Sequence, residues 1–343
     1  MLLRLYTLAW NTFLETIRQP IYGVILLVTA FLMIMNVSLA GFTLEDDDKL
    51  LLDLGLSTLL LSGLFLAGFS AAGVLTREIE NKTVLTVISK PVSRPVFILG
   101  KFVGLAAALS LAYYLGFLVF ALALRHGVLE NTSDPWDAPV LVFGFGSLIA
   151  SLGAAAFCNY FYGWFFPTTV LLFITPMLTV SVLLLTKLDE HFAVIAFLSD
   201  FIGGQVVIAG LLVYLAVIFT TAVAVAAATR LGQVMTLLVC TGVLGLGVVS
   251  DYAFGPAGAP DAPIVQSVSD EDRPVSSPAA PTSVLYYVVP NFGPFWVVDG
   301  LQAASEETAI PLRYLGLSAL YAALITAAAL ALAISLFQRR EVG

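Results

Sequence analysis

Eight long apolar stretches dominate this sequence and restrict what it can fold into. Each is long enough for a helix to cross the hydrocarbon core of a membrane, which takes about 20 mostly apolar residues. The predicted spans are 20–42, 51–76, 97–124, 138–159, 163–186, 205–229, 231–250 and 312–337. Since 59% of the residues are hydrophobic and 11% charged, a water-soluble fold could not cover the apolar surface. We therefore expect an all-α, polytopic integral membrane protein.

Two of the breaks between these spans are weakly marked. No charged residue occurs between Val140 and Thr186, so the break between the fourth and fifth spans rests on an aromatic cluster at 159–164 and on Pro167. The break between the sixth and seventh spans rests on residues 230–232. If both breaks were absent, the chain would have six spans instead of eight.

The distribution of charge predicts the orientation. Lysine and arginine are enriched in the cytoplasmic loops of membrane proteins. With the N-terminus inside, ten of the fifteen basic residues face the cytoplasm, and nineteen of the twenty-three acids lie outside. We expect both termini in the cytoplasm and the chain in the plasma or inner membrane of the cell.

The regions between and beside the spans differ in character. Residues 1–19 are predicted to form an amphipathic helix at the inner interface, because Arg4, Thr7, Asn11 and Glu15 recur at intervals of three and four. Residues 20–250 hold seven spans, with a cytoplasmic segment at 77–96. Residues 251–283 contain six prolines and are predicted to form an extracytoplasmic loop. Residues 284–311 are expected to lie at or dip into the outer interface, and 312–343 to form the last span and a cytoplasmic tail.

Several kinds of chemistry have no sequence support. The span centres carry no ionisable residue, although coupled secondary transporters and pumps usually do. There is no HExxH and no GxxxxGK[ST] motif, so we expect no enzyme activity, no metal site and no nucleotide site on this chain. The net charge of −8 excludes a nucleic-acid binder that relies on a net basic field.

The isolated polar residues of the sequence indicate no substrate. Cys158 and Cys240 lie inside apolar runs and are interpreted as packing residues, and His126 and His191 as solvated loop residues. Neutral polar side chains occur in the spans, and helix packing accounts for most of them without a ligand. They include Asn36, Tyr113, Tyr114, Asn159 and Gln205.

The cytoplasmic segment between the second and third spans is the most informative stretch. Its centre, 83–88, is short and apolar, and it is flanked by Lys82 and by Ser89, Lys90 and Pro91. This pattern favours a brief helix that the proline ends. Such a helix could dock onto a partner protein. The basic flanks could instead merely enforce topology or contact anionic lipid, and on the residues alone docking to a partner and contact with lipid explain the segment equally well.

This segment resembles the cytoplasmic signature of type-2 ABC exporter permeases, including the branch described as the permease component for multi-copper enzyme maturation. The similar residues are Arg77, Glu78, Glu80, Lys82 and Thr83, then 89–94, then Phe97, Gly100, Lys101 and Gly104. A second match is Tyr287 with Pro290, Asn291 and Phe292, ahead of Asp299. The extra spans and the proline-rich loop depart from the family's six-span core.

The resemblance implies a permease subunit that exports an unidentified substrate with energy from a separate cytoplasmic ATPase, which binds the ATP. It implies a homodimer or heterodimer of permease chains and no cofactor on this chain. We expect 83–88 to dock on the ATPase and Gly100 and Gly104 to pack the third span against a neighbour. The predicted coupling residues are Arg77, Glu78, Lys82, Thr83, Val84, Leu85, Ile88, Lys90, Pro91 and Arg94. Two alternatives are a secondary transporter without buried charge and a non-transporting scaffold for a cytoplasmic assembly.

Overall fold

A computed structural model describes residues 2–41, 47–80, 93–128, 136–195, 203–254, 289–297 and 310–338. Apart from an isolated β-bridge between Leu188 and Val194, the regular structure in these ranges is helical. The α-helices are α1 (Leu2–Ile17), α2 (Pro20–Ala40), α3 (Asp47–Glu80), α4 (Arg94–His126), α5 (Ala138–Tyr162), α6 (Phe166–Leu185), α7 (Gly204–Ala228), α8 (Gln233–Phe254) and α9 (Leu312–Gln338). A short 3-10 helix covers Gly293–Phe295.

Helices α2 to α9 are each long and apolar enough to cross a membrane, so the described residues contain eight candidate spans and confirm the predicted all-α polytopic fold. Both weakly marked breaks are present. Helix α5 ends at Gly163, whose φ of 67° is the left-handed conformation that glycine adopts readily, and α6 begins three residues later. Asn159 strengthens this turn by donating from Nδ2 to the Trp164 carbonyl at 2.6 Å. Helix α8 reaches Phe254, four residues into the segment that the sequence assigned to the loop.

Helix α1 is separate from the first span. The backbone is extended at Gln19, with a ψ of 132°, and Pro20 then begins α2 because proline fits the first turn of a helix. Around α1, Arg4, Thr7 and Asn11 are exposed, as the polar stripe predicts. A second face, with Ala9, Thr12 and Thr16, is buried. The third face carries exposed apolar side chains from Leu3 to Trp10. The inner-interface position of α1 stays a prediction.

The chain divides into two compact units. The first unit comprises 1–8, 67–103 and 205–343, and the second comprises 9–66 and 104–204. In the first unit, α7 is the most deeply buried helix, with fifteen buried residues among its twenty-five.

Buried polar contacts join the helices of the second unit. Tyr22 of α2 donates from Oη to the Ala108 carbonyl of α4 at 2.8 Å, and Asn36 donates to Thr58 of α3 at 3.2 Å. A Cβ at Gly55 would collide with the ring of Phe120, so glycine lets α3 and α4 approach closely at this point.

Candidate functional site

Only three of the ten predicted coupling residues lie in the part of the chain that the structure describes. Arg77 and Glu78 lie in the last turns of α3, where only the backbone is described, and Arg94 is the first residue of α4. The other predicted coupling residues, Lys82, Thr83, Val84, Leu85, Ile88, Lys90 and Pro91, lie outside the described residues. The docking surface itself therefore stays a prediction. The flanking helices, α3 and α4, are described.

Two arginines bind the end of the last helix. Arg94 donates from Nη1 to the Gln338 carbonyl at 2.6 Å. Arg230, in the turn between α7 and α8, donates from Nε and Nη2 to the Leu336 carbonyl at 3.0 and 2.7 Å. The last carbonyls of a helix have no partner within the helix and carry partial negative charge, so they attract cations. Arg94 thereby joins the end of the predicted coupling segment to α9.

An aromatic stack reinforces this attachment. The rings of Phe97 in α4 and Phe337 in α9 lie 5.4 Å apart, centroid to centroid, and both side chains are buried. The ammonium of Lys101, one turn further along α4, lies 5.8 Å from the centroid of the Phe97 ring and is 3% exposed. We call these residues, with Arg94 and Arg230, the anchor cluster.

Arg94, Phe97 and Lys101 of the anchor cluster lie in the stretch with family resemblance, but nothing in the sequence indicated that they contact α9 or one another. Arg230 and Phe337 were expected only as positions beside or in a span, and Arg94 was expected as a coupling residue. Arg94 and Gln338 are 244 positions apart, and no local periodicity reports a contact between such distant residues.

The Pro-Asn-Phe stretch that carries the second part of the resemblance is held by backbone hydrogen bonds. The Asn291 N–H donates to the Tyr321 hydroxyl at 2.8 Å, and the Phe292 N–H donates to the Gly247 carbonyl at 3.2 Å. The Tyr314 hydroxyl donates to the Pro294 carbonyl at 2.7 Å. These contacts come from α8 and α9, so residues 290–295 lie among the helices of the first unit.

The position of this stretch along α8 and α9 follows from its contacts. Gly247 is seven residues before the end of α8 and Tyr321 nine residues after the start of α9, which correspond to roughly 10 and 14 Å along the helices. The rings of Phe292 and Phe295 pack on Phe219 of α7, at 4.8 and 5.4 Å. Non-helical backbone that lies among membrane helices requires hydrogen-bond partners inside the protein, and here α8 and α9 supply them.

Glycine at position 247 makes this close approach possible. A Cβ there would collide with the Pro290 carbonyl and the Phe292 ring. We expected residues 284–311 to lie at the outer interface or to dip into it, and that position stays a prediction.

The neutral polar side chains of the spans take part in packing. Besides Asn36 and Asn159, Tyr114 shares a hydrogen bond of 2.9 Å with Thr179, and Gln205 accepts from the Ile310 N–H at 2.9 Å. His191 is exposed as expected, whereas His126 is half buried with its ring 6.1 Å from that of Trp136. Within the described ranges, no group of three or more His, Cys, Asp or Glu side chains could hold a metal ion.

Comparison with known proteins leaves the function open. No protein-family model and no curated protein sequence matches the chain.

Proposed function

We propose that this chain is the membrane-spanning permease subunit of an ABC exporter, and that a separate cytoplasmic ATPase binds and hydrolyses ATP for it. Two permease chains would pair in the cell membrane, with both termini of each in the cytoplasm. The observation that carries the proposal concerns the two stretches with family resemblance, Arg77–Gly104 and Tyr286–Asp299, which about 180 positions separate in the sequence. Their described residues belong to one compact unit, except Gly104, which belongs to the other. The helix ends that flank the predicted coupling segment and the Pro-Asn-Phe stretch are therefore parts of the same unit.

The helices on either side of residues 81–92 also support the proposal. Helix α3 has 34 residues and α4 has 33, so each is roughly 50 Å long, against about 30 Å for the hydrocarbon core. The apolar part of α3 ends at Leu75, and the turns beyond it contain Arg77 and Glu78. The connecting segment is thus carried on helix ends that extend past the apolar layer, where a cytoplasmic protein can reach it.

The anchor cluster links the end of the coupling segment to α9, so a movement of the segment is transmitted to this helix. Displacement of the segment at Arg94 would act directly on the carbonyl end of α9 and on the Phe97–Phe337 stack. Conformational changes in transporters are largely rigid-body movements of packed helices, which need such fixed attachments. Since the chain contains no GxxxxGK[ST] motif, the energy for export has to come from a partner.

The test replaces two apolar residues of the proposed docking helix. Burying a large aliphatic side chain gains about 1.5–3 kcal/mol, so Val84→Asp with Ile88→Asp should weaken ATPase binding more than 100-fold. We expect normal membrane insertion, together with loss of co-purification of a GxxxxGK[ST]-containing subunit and loss of ATP hydrolysis by the purified assembly. The matched control is Ile264→Asp with Val268→Asp, which has the same residue types and spacing in the predicted extracytoplasmic loop.

Each outcome discriminates between the explanations. If the Val84→Asp/Ile88→Asp protein keeps its ATPase while Lys82→Ala/Lys90→Ala/Arg94→Ala protein loses membrane insertion, the segment only enforces topology. If the wild-type protein isolated in mild detergent has no ATPase subunit, the secondary transporter and the scaffold are favoured over the ABC permease.

A further inference from the structure

A lateral groove of about 710 Å³ lies in the second unit, away from the residues discussed above. Trp10, Phe13 and Leu14 of α1 form one wall. The other wall is the first half of α6, with Trp164 just before the helix, Leu172 and Pro176. Leu111 of α4 contributes to the lining between them, and Arg18 lies at one end.

The end of the groove that carries Arg18 is at the level of a membrane interface. Arg18 comes two residues before α2 begins, and Phe165 comes directly before α6, so both lie where spans begin. The guanidinium carbon of Arg18 is 5.9 Å from the centroid of the Phe165 ring. From this end, the groove follows α6 for 11 residues to Pro176, which is roughly 16 Å along the helix axis.

The walls are apolar in spite of three threonines. Thr168 and Thr169 both donate to the Phe165 carbonyl at 2.9 Å, and Thr175 donates to the Leu171 carbonyl at 2.7 Å. A hydroxyl that bonds to its own helix presents mainly its methyl group to the surroundings. The groove therefore offers a polar solute few hydrogen-bonding partners, but it suits a hydrocarbon chain.

We propose that this groove binds one anionic phospholipid of the surrounding membrane, with an acyl chain along α6 and the phosphate on Arg18. A groove that opens to the membrane has hydrocarbon at its mouth, and the arginine is exposed at the headgroup level. Arginine pairs with phosphate through a planar fork of N–H donors, and anionic lipids gather at basic residues beside spans. Tryptophans flank the site as they do at membrane interfaces, and the proposal does not depend on the ABC assignment.

Fluorescence quenching by brominated lipid tests this site, because Trp10 and Trp164 both line it. Trp136→Phe with Trp296→Phe leaves these two as the only tryptophans. The protein is reconstituted in phosphatidylcholine vesicles that contain a minor component of phosphatidylglycerol or phosphatidylcholine brominated on its acyl chains. Because both tryptophans are about half exposed, the neutral brominated lipid gives the baseline for bulk contact. We expect the anionic lipid to be enriched about fivefold over this baseline, which corresponds to about 1 kcal/mol from one cation.

Two variants separate this site from a general attraction of anionic lipid to the basic residues near the N-terminus. Arg18→Gln should reduce the enrichment to the baseline, whereas Arg4→Gln, at another exposed arginine of the N-terminal region, should leave it unchanged. Equal quenching by both brominated lipids, or an enrichment that persists in the Arg18→Gln protein, would overturn the proposal. So would the absence of quenching by either lipid.

Discussion

Arg125 shows how one side chain can hold three helix ends together. Its Nε lies 3.0 Å from Oδ2 of Asp137, and its Nη groups donate to the Leu185 carbonyl and, at 2.5 Å, to the Leu188 carbonyl. Asp137 also caps α5 by accepting from the Val140 N–H at 3.0 Å. The side chains of Arg125 and Asp137 are only 6% and 9% exposed. The pair therefore fixes the end of α4, the start of α5 and the end of α6 within the second unit.

Removing the arginine should destabilise the protein strongly. Arg125→Met leaves the Asp137 carboxylate buried without its cation, a change that costs about 3–5 kcal/mol in comparable sites. We expect the midpoint of thermal unfolding in detergent to fall by several degrees. Arg313→Met removes an exposed arginine near the start of α9 and should leave the midpoint unchanged. Equal midpoints for the two variants would mean that the buried pair contributes little.

At the scale of elements, α1 is attached to α4 through two glycines. A Cβ at Gly100 would lie 2.8 Å from Cβ of Leu8, and one at Gly104 would collide with the Ala9 carbonyl and lie 2.6 Å from Cβ of Thr12. The small residues of α1 and α4 thus face each other, as at other close helix contacts in membranes. From the sequence we expected Gly100 and Gly104 to pack the third span against a neighbour, and that neighbour is α1.

A methyl group at this contact should separate the helices. Gly104→Ala has to displace backbone of α1, so we expect a loss of about 1–3 kcal/mol in the free energy of unfolding. Gly146→Ala is the matched control, since a Cβ there meets nothing within 4 Å and alanine favours a helix. Chemical unfolding in detergent gives both values. If Gly104→Ala is as stable as Gly146→Ala, α1 does not depend on this contact.

The sequence could predict where the spans end but not which faces of the helices are in contact. The turn at 163 and the break at 230–232 were predictable, because glycine, aromatic and charged residues interrupt the apolar runs locally. Contacts such as those of Arg94 with α9 or Phe292 with Phe219 were not predictable. A span that is apolar on all sides gives no periodic signal of which face meets a neighbour, and the partner residues are distant in the sequence.

At the scale of the whole molecule, the eight candidate spans among the described residues are an even number, which agrees with the prediction from the charge distribution that both termini lie on the same side. The contact of Arg18 with the Phe165 ring agrees with this count. Two residues that touch at the starts of α2 and α6 require an even number of crossings between them, and α2 to α5 are four. The alternative with six spans, which fuses α5 with α6 and α7 with α8, is inconsistent with the observed breaks.

Cysteine labelling in intact cells can test the orientation. Cysteines at Asp47, Asp134, Glu190 and Ser277 should react with a membrane-impermeant thiol reagent, because the positive-inside rule places these acidic or polar loops outside. Cysteines at Ser93 and Gly232, which are exposed between spans on the predicted cytoplasmic side, should react only after lysis. Each labelling cysteine is introduced into a protein that carries Cys158→Ala and Cys240→Ala, so that both native thiols are absent. Protection at Glu190 or Ser277, or labelling at Gly232 in intact cells, would show that the second half of the chain has the opposite topology.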